Sequence, residues 1–121
     1  MTDDFKEKFT FAQRSCESSR IMKLHPTRIP IIIEKSDKCT QPSIKNIDKR
    51  KYLVPKDMTI GQFMYVVRKR ISLAPHEAVF IFTQTGTIPC TSTSIENIYN
   101  QDKNDDGFLY LSYSGENTFG I

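Results

Sequence analysis

Apolar residues follow a helical period in one part of the chain and form short, dense runs in others. Between Ile60 and Ile71 they recur at positions 60, 63, 64, 67 and 71, which predicts an amphipathic helix. Thr59 and Gln62 have the types and spacing of a capping box at the start of that helix. Runs rich in β-branched and aromatic residues predict strands at 28–35, 51–55, 79–83 and 107–113, with a brief return strand at 87–89.

Further helices are predicted from capping residues and helix breakers at 3–9, 10–24 and 94–101. In the second of these we expect Phe11, Ile21 and Leu24 to share the inward face. Pro30 interrupts the first strand run. Because proline has no N–H, it belongs at a sheet edge or with its nitrogen turned away from a neighbouring strand. The order of the elements predicts an α+β fold of the ubiquitin-like β-grasp type, with two additional N-terminal helices.

At 121 residues and 14.0 kDa, the chain is long enough for one hydrophobic core. We expect one compact domain made of a helical extension (1–27), a ubiquitin-like core (28–113) and a flexible tail (114–121). No apolar stretch reaches membrane-spanning length, and the first residues lack the apolar region of a signal peptide. We therefore expect a cytoplasmic protein with reduced cysteines, which would acquire any membrane association, for instance through an attached lipid.

Charge is distributed unevenly along the chain. Residues 1–70 hold 16 of the 17 Lys and Arg residues and eight acids, a balance of +8, whereas residues 71–121 hold one base and six acids, a balance of −5. A basic half suits an acidic peptide, an anionic lipid or nucleic acid, and it is equally well explained as a solvated face. Nucleic acid is not expected as a partner, because the sequence shows no recognition helix and no paired stacking aromatics.

Residue types used in catalysis are present, but not in a catalytic arrangement. His25 and His76 are isolated from any cysteine-nucleophile motif, and Cys90 is better explained as a small buried thiol. The sequence contains no phosphate-binding loop, metal-ligand spacing or paired-acid motif. We therefore expect neither an enzyme nor a bound metal or cofactor.

The sequence closes with Gly120 and Ile121, after a polar tail that follows the last predicted strand. Glycine has no Cβ, so its backbone can enter a narrow enzyme cleft, and its carbonyl is open to attack by a cysteine thiolate. On this interpretation Ile121 is a removable cap and the chain is a substrate rather than a catalyst. A frayed terminus that happens to contain glycine is the alternative.

A set of short strings stands in a characteristic order and spacing along nearly the whole chain. The strings are Arg28-Ile-Pro30, Glu34-Lys35, Lys51-Tyr-Leu-Val-Pro55, Thr59-Ile-Gly-Gln-Phe63, Arg68-Lys-Arg-Ile71, Phe108-Leu-Tyr110 and Tyr113-Ser-Gly-Glu-Asn-Thr-Phe-Gly120. Together they resemble the autophagy-related protein 8 family of ubiquitin-like modifiers, which includes the GABA-A-receptor-associated and light-chain-3 proteins.

The resemblance implies that a dedicated cysteine protease trims the tail to expose Gly120, with Phe119 helping the enzymes to hold it. The trimmed tail would pass as a thioester through activating and conjugating enzymes. It would end as an amide on phosphatidylethanolamine of the autophagosomal membrane, and this covalent lipid is a modification rather than a cofactor.

The resemblance also implies a groove for cargo-receptor peptides that carry an aromatic-x-x-aliphatic motif, usually preceded by acids. Such a peptide adds a strand to a sheet edge and places alternate side chains in two pockets. We expect the Pro30-bearing strand to provide that edge. The residues implied for the aromatic pocket are Glu17, Ile21, Pro30, Ile32, Lys51, Leu53 and Phe108. Those implied for the aliphatic pocket are Tyr52, Val54, Pro55, Met58, Phe63, Val66 and Arg70.

The acids that precede the motif would meet Arg28 and Lys49, together with Lys51 and Arg70. For Ile32 and Phe63, an ordinary core position is an equally good explanation. The chain departs from the family pattern by extra residues within 36–50 and near 83–86, and by Gly107 where a bulkier residue is common. A conjugation-independent trafficking or cytoskeletal adaptor that uses the same groove is the alternative function.

Overall fold

The structure, a computed structural model, describes residues 4–116. Within that range the chain forms four helices and four strands: α1 (Phe5–Lys8), α2 (Phe11–Leu24), β1 (Arg28–Lys35), β2 (Lys51–Pro55), α3 (Ile60–Arg70), β3 (Phe80–Thr83), α4 (Ile95–Asp102) and β4 (Leu109–Ser114). The predicted helices are all present, and β1 and β2 have the predicted bounds. The division into domains stays a prediction.

Local capping explains where the longer helices begin. Thr10 and Thr59 each accept a hydrogen bond from the backbone N–H three residues on, and the side chains of Gln13 and Gln62 accept one in turn from the N–H of the capping threonine. Both predicted capping boxes are therefore confirmed. Ser94 caps α4 in the same way, with its hydroxyl accepting from the Asn97 N–H at 3.2 Å.

The strands form one mixed sheet in the order β2-β1-β4-β3. The inner pair, β1 and β4, is parallel, whereas both outer strands pair antiparallel to their neighbours. The expectation that β1 forms the edge is therefore wrong, and β2 takes that position.

Pro30 follows the second alternative allowed by its missing N–H. The Ile33 N–H donates to the Arg50 carbonyl at 2.8 Å, on the side of β2. Successive N–H groups of a strand point to opposite sides, so the nitrogen of Pro30 faces β4. Since the parallel pairing with β4 begins only at Ile31, the proline costs no ladder hydrogen bond.

The predicted return strand at 87–89 is wrong. The chain does turn at Gly86, with φ of 88°, and the Thr83 N–H donates to the Thr87 carbonyl at 2.8 Å. Pro89 follows without an N–H, and no strand is assigned after β3 until β4.

The two faces of the sheet bury two separate apolar clusters. The main core lies between the sheet and helices α3 and α4, and it contains Ile31, Phe63 and Leu109 among many others. The smaller N-terminal cluster lies under α1 and α2, and it consists of Phe5, Ile32, Phe108 and Tyr110, with Phe9 and Ile21 partly buried against it. Consecutive residues of β1 thus supply different clusters, as the alternation of side chains along a strand requires.

The predicted inward face of α2 is only partly correct. Ile21 packs against the N-terminal cluster, but Phe11 and Leu24 are 51% and 62% exposed. The helix is held largely by polar contacts instead. Ser18 is 2% exposed and its hydroxyl donates to the Asp106 carbonyl.

Gly107 makes this close approach possible. A Cβ at that position would lie 2.4 Å from Ser18 Oγ, and the backbone φ is 94°. Both the space and the left-handed conformation therefore require glycine here.

Candidate functional site

The outer edge of β2 is the part of the sheet where a further strand can pair. Among the described residues, β2 pairs with β1 alone. The hydrogen-bond alternation that turns the Ile33 N–H toward β2 leaves the N–H and C=O groups of Lys51 and Leu53 pointing away from β1. Pro55 has no N–H and ends this outward row. One group of this row already has a partner, because Arg28 Nη1 donates a hydrogen bond to the Leu53 carbonyl oxygen at 3.4 Å.

The residues implied for the aromatic pocket lie together on the sheet face that carries α1 and α2. Ile32 and Phe108 are 1% and 0% exposed and form its floor within the N-terminal cluster. Pro30 is also buried, whereas Ile21 and Leu53 are partly exposed beside the floor. Ile32 is therefore a core residue, and it lies beneath the other residues implied for the aromatic pocket.

An ion pair forms the rim of this pocket. Glu17 on α2 is paired with Lys51 on β2. Their side chains are partly exposed, so the pair spans the gap between helix and sheet edge at the surface. An incoming peptide carboxylate would have to compete with Glu17 for the lysine.

The residues implied for the aliphatic pocket divide between core and surface. Tyr52 and Phe63 are buried and stack edge to face, with ring centroids 5.5 Å apart. Val54 is buried beside them, while Met58 and Val66 are partly buried against the main core. Phe63 is therefore a core residue, and the accessible surface is formed by Met58, Val66, Pro55 and Arg70.

Cations surround the β2 edge, and some already have carboxylate partners. Arg70 Nε donates to Asp48 Oδ1 at 2.8 Å, and this hydrogen bond lowers the pKa of Asp48. Arg28 and Lys49 are exposed, and Lys49 Nζ lies 4.9 Å from the centroid of the Tyr52 ring. The edge is thus a basic strip partly neutralised by Asp48 and Glu17.

Two residues at this site were missed by sequence reasoning. Asp48 lies in an irregular connection, where no periodicity indicates which side chain turns toward α3. Phe5 is 2% exposed and packs edge to face on Phe108, with ring centroids 5.5 Å apart, and it fills the N-terminal cluster next to the aromatic pocket. The position of Phe5 in a short capped helix of apolar and polar residues could have indicated that it is buried, but not that it packs on Phe108.

The family model described as "Autophagy protein Atg8 ubiquitin like" matches residues 13–120. The chain belongs to the Atg8 family. Autophagy-related protein 8 of Mycosarcoma maydis is 52% identical over 120 residues, which cover 99% of this chain and 98% of that protein. Autophagy-related protein 8c of Arabidopsis thaliana is 50% identical over 117 residues, or 97% of this chain and 95% of that protein.

A solved relative confirms the fold of this Atg8-family protein. The crystal structure of Trypanosoma brucei ATG8 superposes with a TM-score of 0.86 at 40% sequence identity, and the match covers 99% of this chain and 100% of that chain. The predicted α+β, ubiquitin-like fold with two N-terminal helices is therefore confirmed.

The tail of this Atg8-family protein is described only at its root. Residues 114–116 are described, whereas Phe119, Gly120 and Ile121 lie outside the described range. Their predicted roles stay predictions. No described helix has the length and apolar character needed to cross a bilayer.

Residues 4–116 contain no group of three or more His, Cys, Asp or Glu side chains placed to hold a metal ion. The expectation that Cys90 is a buried thiol is wrong. Its side chain is exposed, with Sγ 3.3 Å from Ser92 Oγ, and this hydrogen bond lowers the pKa of the thiol. The reason is that Cys90 lies in the irregular connection between β3 and α4 rather than in a strand.

Proposed function

We propose that this protein is a ubiquitin-like modifier of autophagy rather than an enzyme. In this proposal it is processed after Gly120 and conjugated to phosphatidylethanolamine, and it then recruits cargo receptors that carry aromatic-x-x-aliphatic motifs. It would be cytoplasmic when unconjugated and bound to autophagosomal or related vesicle membranes when lipidated. Membership of the Atg8 family supports the pathway, and the structure supports the peptide groove.

The observation that carries the proposal is the outward row of backbone groups on β2. Lys51 and Leu53 offer N–H and C=O groups to a peptide strand, and main-chain pairing of this kind gives affinity without demanding a particular sequence. Specificity then comes from the pockets on the two sides of the row. An aromatic side chain would enter between Leu53 and Ile21, above Phe108, and an aliphatic one between Pro55 and Val66.

The basic strip explains the preference for acids before the motif. Arg28 and Lys49 are exposed, and Lys51 and Arg70 exchange their present carboxylate partners for those of the peptide. Exposed ion pairs contribute little each, about 0–1 kcal/mol, so this exchange tunes affinity and does not create it.

The chemistry of the tail accounts for attachment. A protease thiolate attacks the Gly120 carbonyl, the peptide bond breaks, and isoleucine leaves with its amino group; water then hydrolyses the acyl-enzyme thioester, which frees the thiol and leaves a carboxylate on Gly120. The activating enzyme would convert this carboxylate to a thioester at the expense of a nucleoside triphosphate. The amine of phosphatidylethanolamine would then displace the thiol to form the amide, which gives the domain a two-chain lipid. Two acyl chains hold a protein stably at a membrane, whereas one chain gives only marginal binding. The proposed partners are the processing protease, the activating and conjugating enzymes, and the cargo receptors.

The groove is tested by titrating an acidic aromatic-x-x-aliphatic peptide into variants of the protein. Leu53→Ala should weaken binding about 5- to 30-fold, because it removes the exposed wall of the aromatic pocket. Ile88→Ala is the matched control, since Ile88 is 40% exposed and follows β3 at the opposite edge of the sheet. Equal losses in both variants, or none in Leu53→Ala, would refute the groove.

The tail is tested by the intact mass after exposure to an Atg8-family processing protease. We expect loss of one isoleucine residue from the wild type and no loss from Gly120→Ala. The same variant should fail to associate with membranes while it still binds the peptide. An unchanged wild-type mass beside an active protease would instead favour the conjugation-independent adaptor, which needs only the groove.

A further inference from the structure

The connection between β1 and β2 packs against the end of β4, although its sequence reads only as a polar link. The Ser36 N–H donates to the Tyr113 carbonyl at 2.8 Å, and the Tyr113 hydroxyl donates to the Lys45 carbonyl at 2.5 Å. Residues 36–45, here named the clasp, are therefore tied to the last strand at both of their ends.

Gly115, the first residue after β4, lies under the clasp with no room for a side chain. A Cβ at this position would come within 2.8 and 2.9 Å of Ile44 Cγ1 and Cδ1. It would also approach Gln41 Oε1 to 1.9 Å. The glutamine end can rotate away, but Ile44 is 2% exposed and packed in the main core, so its carbons cannot yield.

Polar contacts complete the attachment of the tail root. Burial acts to raise the pKa of the Cys39 thiol, but the neighbouring Gly115 backbone and Ser114 side chain lower it below its ordinary value. Thr40 Oγ1 donates to Glu116 Oε1 at 3.4 Å, and Lys35 Nζ holds the clasp through the Ile44 carbonyl at 2.7 Å. The chain therefore leaves the domain at 114–116 along a path set by the clasp.

We propose that the clasp fixes the direction in which the tail leaves the domain. Gly115 is then a positioning residue for the reaction at Gly120. The inference rests on the proposed processing of the tail. Four residues, 116–119, lie between the two glycines, and the five Cα-to-Cα steps that join them reach at most about 18 Å when extended. A protease that holds both the domain and the tail must span this distance, so a change in the path of residues 114–116 changes where the tail begins relative to the domain. Misplacement of about 1 Å in an enzyme cleft can cost about 100-fold in rate.

The test measures kcat/KM for removal of Ile121 by an Atg8-family processing protease. Gly115→Ala should lower it about 5- to 100-fold, with affinity for the groove peptide unchanged. Tyr113→Phe, which removes only the hydroxyl that reaches the clasp, should lower it less. Tyr65→Phe is the matched control, because Tyr65 is 59% exposed on α3.

A second substitution provides a rescue. Ile44→Ala in the Gly115→Ala background removes the two carbons that meet the new methyl group, so the methyl can occupy the space they leave. Cleavage should recover toward the wild-type rate. Failure of this rescue while the double variant binds peptide normally would argue against a steric role for Gly115.

Backbone amide relaxation of residues 114–116, measured by NMR, tests the clasp without any protease. We expect order close to that of β4 in the wild type and lower order in both Gly115→Ala and Tyr113→Phe. Wild-type cleavage rates, or faster ones, in folded variants would overturn the positioning role. If the wild type itself is not cleaved, the proposed function fails. Relaxation that is the same in the wild type and in both variants would separately overturn the role of the clasp in ordering residues 114–116. If Gly115→Ala does not fold, the cleavage rate and relaxation of Tyr113→Phe decide whether the clasp positions the tail.

Discussion

At the scale of single residues, Asp106 joins helix α2 to the last strand. Its Oδ2 accepts hydrogen bonds from Arg14 Nη1 at 2.6 Å and from the Tyr110 hydroxyl at 2.5 Å. Its Oδ1 accepts from the Phe108 N–H at 2.9 Å. Burial, followed by the hydrogen bond to Asp106, raises the pKa of Tyr110, which stays neutral and donates. One carboxylate thus aligns α2 with the floor of the aromatic pocket.

Asp106→Asn should therefore be strongly destabilising. The Asp106 side chain is fully buried and that of Arg14 is 11% exposed, so the substitution leaves a nearly buried guanidinium without its counter-charge. A loss of about 3 kcal/mol in the free energy of unfolding is expected from urea denaturation. Asp105→Asn, at the exposed neighbouring position, is the control and should change that free energy by less than about 0.5 kcal/mol.

Glu34 gives the protein a predictable pH dependence. Burial raises its pKa above the ordinary value of 4.5, against opposing hydrogen bonds from the Phe5 N–H and Arg50. The folded state therefore holds the proton more tightly than the unfolded state. The contribution of this group to stability is complete below pH 4.5 and is lost as the pH rises through the raised pKa.

Glu34→Gln cannot titrate and should not show this loss. Between about pH 4 and pH 7, the free energy of unfolding of the variant should rise relative to that of the wild type. Urea denaturation across this range measures the difference, and Glu7→Gln on the exposed side of α1 serves as the control. A difference between variant and wild type that is constant with pH would contradict the assignment to Glu34.

At the scale of elements, local chemistry predicted most of the fold. Capping residues and apolar periodicity were sufficient for α2, α3 and α4, because these signals act within a few residues. The edge of the sheet was not predictable in the same way. Pro30 was compatible with two arrangements: β1 at the edge of the sheet, or β1 inside the sheet with the proline nitrogen unpaired. Only the pairing of β1 with β4, some 80 residues apart in sequence, decides between them.

Around the candidate site, the sequence predicted which side chains share a face but not how deeply each is buried. The alternation along β2 separates Lys51 and Leu53 from Tyr52 and Val54 onto opposite faces, as observed. The full burial of Phe63 depends on the position and angle at which α3 packs on the sheet, and no local sequence pattern predicts these. The outward position of Phe11 has a similar origin, since α2 docks through Ser18 against Gly107 rather than through an apolar stripe.

The capping box of α3 leads to a prediction at this scale. Thr59→Ala should lower the free energy of unfolding by about 1 kcal/mol, because it removes the acceptor for the Gln62 N–H, now at 3.2 Å. Thr59→Ser keeps that acceptor and should recover most of the loss. Thermal or urea denaturation of the three proteins checks it, and equal loss in both variants would point to the missing methyl group instead.

At the scale of the whole molecule, the excess of bases in residues 1–70 surrounds the edge that we propose for peptides. Sixteen of the 17 Lys and Arg residues lie in this part of the chain. Glu17 and Asp48 neutralise two of the nearest cations, Lys51 and Arg70, but leave Arg28 and Lys49 exposed. The field around the groove should therefore attract an acidic peptide before contact is made.

The association rate of an acidic-flanked peptide should consequently fall with ionic strength. Raising salt from about 0.01 M to about 0.15 M shortens the screening length from about 30 Å to about 8 Å, which removes most of the steering. Stopped-flow fluorescence should show slower association and a nearly constant dissociation rate. A peptide with neutral flanks is the control, and equal salt dependence of both peptides would exclude steering by this strip.

The short row of outward backbone groups on β2 would limit how long a single peptide stays bound. Lys51 and Leu53 are followed by Pro55, so the ladder ends after a few hydrogen bonds, and the Leu53 carbonyl must first release Arg28. A peptide bound at one domain would therefore have a brief residence time. A receptor with several motifs could bind many copies of the protein on one vesicle surface. The high effective concentration would then make the overall attachment long-lived even though each contact is brief. The density of the protein on the membrane, more than the affinity of one groove, would then decide which cargo is retained.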